Sequence, residues 1–228
     1  MLSGKTNRPS PQTTTALLLA AGEGRRVGLE SSKAFLETDG RSLLDVELER
    51  VSPFCVRRLV GLRAADKDRA RDTLAQYAAE SVDGGAERID TVANLLARVS
   101  SEYVLVCDVA RPLVSTALLE RLMDGLGNAD AAAPVLRLTL RDSLALIDHK
   151  SGLERVLPRN RVVMTQTPQL FRTAALADGI EQARREAWSE VSLMAVIGRA
   201  GYKMTAVAGD PENIKVTYPE DLVRLTES

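Results

Sequence analysis

The stretch Ala16-Leu-Leu-Leu-Ala-Ala-Gly-Glu-Gly-Arg-Arg-Val-Gly28 joins an apolar run to a glycine-rich loop. The apolar run predicts a buried strand. Glycines let the backbone approach a ligand closely, so that its N–H groups can point at phosphate oxygens. Arg25 and Arg26 in the loop, with Lys33 in the following Ser32-Lys-Ala-Phe-Leu36, can neutralise a polyphosphate. The stretch therefore predicts a strand that leads into a binding loop for a nucleoside triphosphate.

The spacing of the glycines separates this loop from two commoner phosphate-binding loops. A dinucleotide fingerprint requires G-x-G-x-x-G, and here Gly22-x-Gly24 is followed by Gly28, one residue too far. The complete P-loop pattern, G-x-x-x-x-G-K followed by Ser or Thr, does not occur either. A nicotinamide oxidoreductase is therefore disfavoured. A simple strand-to-loop turn with incidental surface charge remains an open alternative.

The composition is typical of a soluble globular protein. Of the 228 residues, 45% are hydrophobic and 27% are charged, with a formal net charge of −1. This length allows one large domain or two small ones. The charge favours neither a nucleic-acid partner nor an anionic membrane, and no apolar run reaches the length of a membrane span. Residues 1–15 are polar and lack an apolar signal core, which predicts a disordered tail.

Cysteine and histidine usage disfavours several kinds of chemistry. Cys55 and Cys107 form no C-x-x-C pair, so we expect no disulfide scaffold and a location in the reducing cytoplasm. The single histidine, His149, lies in the turn-like Asp148-His-Lys-Ser-Gly152 and is predicted to be an exposed turn residue. A zinc site built from histidines and a Ser-His-Asp triad are both disfavoured by this usage.

Strand patterns alternate with amphipathic helical patterns along the chain. Buried strands are predicted over residues 16–21, 58–62, 103–108, 131–138 and 202–208. Helices are predicted over residues 65–80, 90–99 and 115–127, and another begins at the capping box Thr217-x-x-Glu220. This alternation predicts an α/β fold with a mostly parallel sheet covered on both faces. The glycine loop, Asp108 and Lys215 are expected to share one rim, beyond the carboxyl ends of the strands.

Residues 138–160 break the alternation. An alternating Ser143-Leu-Ala-Leu-Ile147, the turn at His149 and a second apolar run predict a β-hairpin. A hairpin alone is marginally stable in water, so it must pack on something. The sequence leaves open whether the hairpin packs against its own domain or against a second subunit.

Five sequence blocks resemble one enzyme family. The A-A-G-x-G-R-R loop, followed by x-x-K-A-F-L, resembles the sugar-phosphate nucleotidyltransferases and is closest to their cytidylyltransferase branch. The other blocks resemble segments of the 2-C-methyl-D-erythritol 4-phosphate cytidylyltransferases, in the family's order. These are Gly84-Gly-Ala-Glu-Arg-Ile-Asp-Thr-Val92, Val106-Cys-Asp-Val-Ala-Arg-Pro112, Thr165-Gln-Thr-Pro-Gln-Leu-Phe171, and Asn213-Ile-Lys-Val-Thr217 with Pro219-Glu-Asp-Leu222.

The resemblance implies a Rossmann-like domain over residues 16–228, with a protruding β-hairpin arm at about residues 138–160 that pairs two subunits. It implies a cytoplasmic, Mg²⁺-dependent homodimer that joins CTP to 2-C-methyl-D-erythritol 4-phosphate. The products would be pyrophosphate and 4-diphosphocytidyl-2-C-methyl-D-erythritol, in the non-mevalonate synthesis of isoprenoid precursors. No nucleic-acid or membrane partner is expected.

The resemblance also assigns site residues. It gives catalytic roles to Arg26 and Lys33, and a Mg²⁺ contact to Asp108. The implied CTP-binding residues are Ala20, Ala21, Gly22, Gly24, Arg25, Gly84, Gly85, Thr91, Asp108 and Arg111. The implied acceptor-binding residues are Arg159, Thr167 and Lys215. Purely structural alternatives remain, namely solvated or ion-paired surface cations, an Asp108–Arg111 ion pair, and a Thr91 hydroxyl bonded to the helix backbone.

Three departures from the family pattern affect the acceptor half. Trp188-Ser189-Glu190 stands where the family has T-D-D or T-D-E, and Asp142-Ser143-Leu144-Ala145 stands where it has D-T-x-K. Cys107 replaces the usual histidine before Asp108. A ribitol-5-phosphate cytidylyltransferase, or a weakly active homologue with a binding role, are therefore the alternative functions.

Overall fold

The computed structural model describes residues 8–22, 32–138, 142–148, 150, 152–189, 192–218 and 221. The described helices are α1 (Leu43–Val51), α2 (Lys67–Gln76), α3 (Arg88–Leu96), α4 (Thr116–Gly125), α5 (Thr173–Arg185) and α6 (Leu193–Arg199). The described strands are β1 (Thr14–Leu19), β2 (Glu37–Thr38), β3 (Arg41–Ser42), β4 (Arg57–Leu62), β5 (Glu80–Asp83), β6 (Tyr103–Asp108), β7 (Ala131–Arg137), β8 (Leu144–Asp148), β9 (Gly152–Leu157), β10 (Val163–Thr165), β11 (Gln169–Arg172) and β12 (Met204–Ala208).

Eight of these strands form the central sheet. Their order is β10-β7-β11-β6-β1-β4-β5, and β12 pairs with β7. The β1–β4, β1–β6, β4–β5 and β7–β12 pairs are parallel, whereas β11 runs antiparallel to β6 and β7, and β10 antiparallel to β7. The mostly parallel α/β sheet expected from the sequence is confirmed.

Strand β1 lies at the centre of the sheet and serves two cores. Successive side chains of a strand point to opposite faces. Ala16 and Leu18 accordingly join one apolar cluster, which includes residues of α1, α2 and α4. Leu17 joins a second cluster with residues of α3, α5 and α6. The sheet is therefore covered by helices on both faces, and the side chains of β1 and β6 are almost all buried.

Several element boundaries differ from the sequence predictions. Strand β1 begins at Thr14, and residues 11–13 form a turn of 3-10 helix, so the segment predicted as a disordered tail is structured from residue 11 onward. Thr14 and Thr15 are buried because β6 pairs with both of them. The helix predicted over residues 65–80 ends at Gln76, and Glu80 already begins β5. Pairing with β4 explains this strand, which local periodicity does not indicate.

The predicted α4 boundaries are nearly correct. The Ser115 hydroxyl accepts a hydrogen bond from the Leu118 N–H at 3.2 Å, as an N-cap does. Gly127 has φ +53° just after the helix ends, a conformation that glycine adopts readily. The predicted C-terminal helix lies mostly outside the described residues. At the predicted start of this helix, the Asp221 carboxylate accepts hydrogen bonds from the N–H groups of Thr217 and Tyr218.

The predicted hairpin is present as β8 and β9, which pair with each other in a separate two-stranded sheet. Its predicted turn residue His149 lies outside the described residues. Ile147 and Leu153 pair across the two strands, and they are 64% and 73% exposed. Val156 is 66% exposed. The arm thus carries large apolar side chains that are exposed in the single chain.

Candidate nucleotide-binding site

A cavity of about 560 Å³ opens beyond the carboxyl ends of β1, β4, β5 and β6. Six of the residues implied to bind CTP line it, namely Ala20, Ala21, Gly22, Gly85, Thr91 and Asp108. Lys33 and Lys215 also line it. The predicted Gly24, Arg25 and Arg26 lie outside the described residues. Segments far apart in the sequence therefore meet at one rim because parallel strands present their carboxyl ends on the same edge of the sheet.

Asp108 is the ionic centre of the cavity. Its Oδ1 accepts a hydrogen bond from Arg88 Nη2 at 3.1 Å, and its Oδ2 accepts from Lys215 Nζ at 2.7 Å and Thr167 Oγ1 at 3.2 Å. The residue is only 8% exposed. Burial alone would raise the pKa of this carboxyl, but Arg88 and Lys215 outweigh burial and hold the pKa below its ordinary value. Asp108 is therefore an ionised group that holds two cations at the cavity wall.

The alternative ion pair between Asp108 and Arg111 is not formed. Arg111 Nη1 instead donates to the Asn213 carbonyl oxygen at 2.6 Å, and only the Arg111 backbone N–H reaches the Asp108 carbonyl oxygen, at 3.0 Å. Burial lowers the pKa of Arg111, partly offset by the nearby carboxyls of Asp108 and Glu47. Arg111 does not line the cavity, and it ties the end of β6 to the C-terminal segment.

Lys33 joins two walls of the cavity. The Ser32 hydroxyl donates to the Ala20 carbonyl oxygen at 2.8 Å, which ties the short 3-10 turn carrying Lys33 to the end of β1. Lys33 Nζ donates to the carbonyl oxygens of Val216 at 3.0 Å and Thr217 at 3.4 Å. The ammonium group is thus held between the glycine-loop side and the C-terminal segment.

Of the two glycines predicted to bind CTP here, Gly85 lines the cavity and Gly84 does not. The Gly84 N–H donates to the Leu62 carbonyl oxygen at 2.8 Å, and the Gly85 N–H donates to Thr91 Oγ1 at 3.0 Å. Thr91 Oγ1 in turn donates to the Glu87 carbonyl oxygen at 3.3 Å. Both glycine N–H groups are therefore used within the protein, so this segment can recognise a ligand through acceptors rather than donors.

Neither Gly84 nor the nearby Gly61 has room for a side chain. A Cβ at Gly84 would lie 2.5 Å from the Ala21 Cβ, and a Cβ at Gly61 in β4 would lie 2.5 Å from the Thr91 methyl carbon. Side-chain atoms do not approach so closely without displacement. The Thr91 hydroxyl thus bonds to the backbone as the structural alternative expected, while its methyl group packs onto the sheet at Gly61.

The predicted acceptor-binding residues occupy two places. Thr167 adjoins the cavity through its bond to Asp108, and its carbonyl oxygen accepts from Asn213 Nδ2 at 2.8 Å. Asn213 immediately precedes the segment that carries Lys215, so Thr167 and Lys215 are held together. Arg159 lies in a 3-10 turn after β9, is exposed, and does not line the cavity.

Two arginines that line the cavity, Arg63 and Arg88, had no role predicted from the sequence. Arg88 lies in the Gly84–Val92 block, and its spacing alone gave no partner; the structure pairs it with Asp108. Arg63 follows β4 and also lines the cavity. Its position directly after a buried strand was the one available signal.

Trp188, a departure from the family pattern, is engaged outside the cavity. Its indole ring lies under the Arg199 guanidinium, 4.4 Å from the ring centroid, and its Nε1 donates to Glu186 Oε2 at 2.9 Å. Cys107, another departure from that pattern, is completely buried. Burial raises the pKa of the Cys107 thiol well above its ordinary value, so it is not a reactive thiolate.

The donor set limits how a metal ion could be held. No cluster of three or more His, Cys, Asp or Glu side chains within the described ranges could bind a metal ion. Magnesium at phosphate sites commonly takes one or two carboxylates, with phosphate oxygens completing its shell. Asp108 fits that arrangement as a single carboxylate, provided that the nucleotide supplies most of the ligands. In the part of the chain that the structure describes, no helix is long and apolar enough to cross a membrane.

The fold and the cavity together define an α/β protein whose glycine-flanked, cation-lined rim suits a nucleoside polyphosphate. More specifically, the chain belongs to the 2-C-methyl-D-erythritol 4-phosphate cytidylyltransferase family (IspD), whose model matches residues 14–227. A relative of that name from Aeromonas hydrophila is 34% identical over 211 residues, covering 91% of this chain and 86% of that protein. The resemblance inferred from five sequence blocks is confirmed.

Solved structures agree. The crystal structure of 2-C-methyl-D-erythritol 4-phosphate cytidylyltransferase from Thermus thermophilus has a TM-score of 0.73 at 33% identity, covering 91% of this chain and 94% of that one. The 4-diphosphocytidyl-2C-methyl-D-erythritol synthase of Anaerococcus prevotii has a TM-score of 0.83 at 23% identity, covering 96% and 98%. The second likeness supports the fold alone.

Proposed function

We propose that this protein transfers a cytidylyl group from CTP to 2-C-methyl-D-erythritol 4-phosphate, releasing pyrophosphate and forming 4-diphosphocytidyl-2-C-methyl-D-erythritol. Residues 16–228 would act as one nucleotidyltransferase domain. The observation that carries this proposal is the buried Asp108, which holds Lys215 and Arg88 at a cavity also lined by Lys33. Such a cluster of cations suits a reaction that brings two phosphorylated substrates together.

The reaction requires no covalent enzyme intermediate. A phosphate oxygen of the acceptor attacks the α-phosphorus of CTP in line, the bond to the β-phosphate oxygen breaks, and pyrophosphate leaves. The protein's task is to position both substrates and to stabilise charge at the α-phosphate. We assign that stabilisation to Lys33 and Arg26, and anchoring of the acceptor phosphate to Lys215 and Thr167.

Base selection fits the Gly84-Gly85 segment. Its carbonyl oxygens can accept hydrogen bonds from the exocyclic amino group of cytosine, whereas the N–H groups are already used. Thr91 holds this segment in place. Ala20, Ala21 and Gly22 leave room for a nucleotide beside it, and Arg25 and Gly24 complete the loop.

A bound Mg²⁺ would neutralise phosphate charge in this proposal. Asp108 is the residue that would contact the ion, with the phosphates of CTP as its other ligands. Asp108 also holds two cations. In this proposal Lys215 lies on the acceptor side of the cavity and Arg88 on the nucleotide side, so the carboxylate interacts with both sides.

We also propose that the hairpin arm pairs two copies of the chain. Ile147, Leu153 and Val156 are exposed on the arm, and exposed apolar clusters of this kind mark interaction surfaces. Arg159 at the base of the arm lies outside its own cavity, which fits a role at the cavity of the neighbouring subunit.

The test of the activity is direct. Purified protein would be mixed with CTP, Mg²⁺ and either 2-C-methyl-D-erythritol 4-phosphate or ribitol 5-phosphate, and pyrophosphate release measured. Release with the first acceptor alone supports the proposal. Release with ribitol 5-phosphate alone would establish that alternative. No release with either, together with CTP binding, would favour a homologue with a binding role.

CTP with Mg²⁺ is expected to raise the melting temperature far more than ATP, GTP or NAD. A ligand at 100 times its Kd stabilises the folded state by about 2.7 kcal/mol, which corresponds to about 5–10 °C for a chain of this size. The measurement is differential scanning fluorimetry with each nucleotide at equal concentration. Equal shifts with CTP and ATP would contradict the base-site assignment to Gly84, Gly85 and Thr91.

Charging the arm is expected to separate the subunits. The double variant Ile147→Asp and Leu153→Asp places two carboxylates on the cross-strand apolar pair, so burial in an interface becomes costly. We expect a dimer for the natural protein and a monomer for the variant by multi-angle light scattering. Arg155→Gln is the control, because Arg155 pairs with Leu146 whereas Leu153 pairs with Ile147, and successive residues of β8 point to opposite faces. A variant that remains dimeric would contradict the arm as the main interface.

A further inference from the structure

Lys215 lies on a segment without regular secondary structure. Strand β12 ends at Ala208, and a turn at residues 210–213 separates this strand from Lys215. Within the turn, the Asn213 N–H donates to the Asp210 carbonyl oxygen at 3.0 Å. A helix or a strand satisfies its backbone groups in a regular pattern, whereas an irregular segment depends on hydrogen bonds from other elements. The position of Lys215 at the cavity therefore depends on what holds this turn.

The Gln166 side chain bonds to both ends of the turn. Its Nε2 donates to the Asp210 carbonyl oxygen at 2.8 Å and to the Asn213 carbonyl oxygen at 3.1 Å. Its Oε1 accepts from the Asp210 N–H at 3.1 Å. Gln166 is only 5% exposed. A primary amide carries two N–H donors and one carbonyl acceptor, so this buried side chain uses all of its polar groups on the turn.

Gln166 is itself held by the central sheet. It directly follows β10, and its backbone N–H donates to the Pro134 carbonyl oxygen of β7 at 2.8 Å. Gly209, the residue before the turn, donates its N–H to the Val135 carbonyl oxygen of the same strand at 2.9 Å. A Cβ at Gly209 would lie 2.7 Å from Gln166 Oε1, so the missing side chain makes room for the amide. The sheet thus fixes Gln166, and Gln166 fixes the turn.

We propose that Gln166 is a positioning residue, whose amide fixes the turn at residues 210–213 and thereby places Lys215 for the acceptor phosphate. This inference rests on the proposed cytidylyl transfer, in which Lys215 anchors that phosphate. Gln166 does not line the cavity, so it acts through Lys215 and not on a substrate. No role was predicted for Gln166 from the sequence, although the adjacent Thr167 was predicted to bind the acceptor.

The amide of Gln166 should matter more for the acceptor than for CTP. Its bonds end two residues before Lys215. The Val216 N–H donates to the Ala110 carbonyl oxygen at 2.8 Å, so the Val216 carbonyl oxygen that accepts from Lys33 has a separate support. Most of the predicted CTP-binding residues follow β1 or β5, on other segments of the chain. Loss of the amide should therefore leave CTP binding and the Lys33 ammonium in place.

The experiment measures kcat and the KM for each substrate by pyrophosphate release, with whichever acceptor the natural protein uses. Gln166→Met is the main variant, because methionine has a similar size but cannot bond to the turn. We expect the KM for the acceptor to rise about 10-fold, the scale of two lost hydrogen bonds, and kcat and the KM for CTP to change by less than about 3-fold. Gln166→Glu is the second variant. An ionised glutamate keeps the oxygen that accepts from the Asp210 N–H and lacks both N–H donors, so the KM for the acceptor should rise here too.

Thr173→Val is the matched control for a loss of stability. It also removes a side-chain hydrogen bond to a backbone carbonyl, because Thr173 Oγ1 donates to the Ser101 carbonyl oxygen at 2.8 Å. Ser101 precedes β6, whereas Asp108 ends this strand at the cavity, so the lost bond lies at the opposite edge of the sheet. The variant should have a lower melting temperature and unchanged KM values. Melting temperatures of all three variants show which of them fold.

The outcomes distinguish the inference from the function on which it rests. If the natural protein releases no pyrophosphate with CTP and either acceptor, the proposed function fails. If it does, a rise in KM confined to the acceptor in the Gln166 variants supports the inference. Equal rises for both substrates, a change in kcat alone, or a lower melting temperature alone would give Gln166 a purely structural role. Failure of both Gln166 variants to fold, while Thr173→Val folds, would overturn the inference as well.

Discussion

Replacing Lys33 by methionine is expected to lower kcat for pyrophosphate release by about 100-fold or more. Removal of one preorganised charge-stabilising donor has effects of about 10²–10³. Methionine is one atom shorter than lysine and replaces most of its apolar stem, so the packing of the 3-10 turn after Ser32 should be retained. The measurement is steady-state kinetics with saturating CTP and acceptor.

The stability of the Lys33→Met protein has to be measured as well, because Lys33 Nζ also donates to the carbonyl oxygens of Val216 and Thr217. Thermal unfolding without ligand reports the loss of those bonds, and the CTP-induced shift reports binding. Lys67→Met serves as the control for loss of one cation outside the cavity, because Lys67 pairs with Asp83 and does not line the cavity. A near-normal kcat for the Lys33→Met protein would contradict a catalytic role for Lys33.

Glu47→Gln is expected to make the protein progressively more stable than the natural chain as the pH rises. Glu47 lies in α1, is completely buried, and neither carboxyl oxygen has a hydrogen-bond partner among the described residues. Burial raises the pKa of this carboxyl from 4.5 to about 8. The nearby Arg50, Cys107 and Arg111 favour ionisation, and Asp108 opposes it, but burial outweighs them.

The direction follows from proton binding. Below pH 4.5 the carboxyl is protonated in both the folded and the unfolded chain, so it does not affect stability. Between pH 4.5 and 8 the folded chain retains a proton that the unfolded chain has lost. The free energy of unfolding therefore falls by about 1.4 kcal/mol per pH unit in this window, and it levels off above the folded pKa.

Glutamine cannot ionise, so the variant escapes this loss. The difference in unfolding free energy in its favour should grow by about 5 kcal/mol across the window. Urea unfolding at pH 5, 6, 7 and 8 measures it. Glu49→Gln is the control, because Glu49 lies on the same helix, is exposed and pairs with Arg41. A pH-independent difference for Glu47→Gln would contradict a protonated buried carboxyl.

The sequence was most informative where one strand carries both the core and the site. The apolar run of β1 predicted a buried strand, and the residues after it predicted a binding loop. Ala20, Ala21 and Gly22 do line the cavity. Here local chemistry suffices, because an apolar strand and a glycine loop each leave a clear pattern in a few residues.

Ion pairing could not be predicted in the same way. A pair with Arg111, three residues away, was one open alternative for Asp108, and instead Asp108 holds Arg88 and Lys215, which are 20 and 107 residues away. Which cation reaches a carboxylate depends on where other strands end. Arg63 escaped notice for the same reason, since it reaches the cavity only because β4 ends next to β1 in the sheet.

Secondary-structure boundaries failed where tertiary pairing overrides local pattern. The periodicity of residues 65–80 continues past Gln76, but Ala78 has φ +46° and the chain turns to form β5. The short β10 and β11, and the helices α1, α5 and α6, were also missed. Strands of three or four residues offer too few positions for alternation to be visible.

The contact between the Thr91 methyl carbon and position 61 limits the order in which this family of sequences can change. A serine at position 91 keeps the hydroxyl that holds Gly85, and it removes the methyl carbon that a Cβ at position 61 would meet at 2.5 Å. Alanine at position 61 is thus acceptable after residue 91 has become serine, and harmful before. Reversion from serine to threonine would then be harmful until position 61 is glycine again. One methyl group on a helix thus sets the order in which the helix position and the strand position can change.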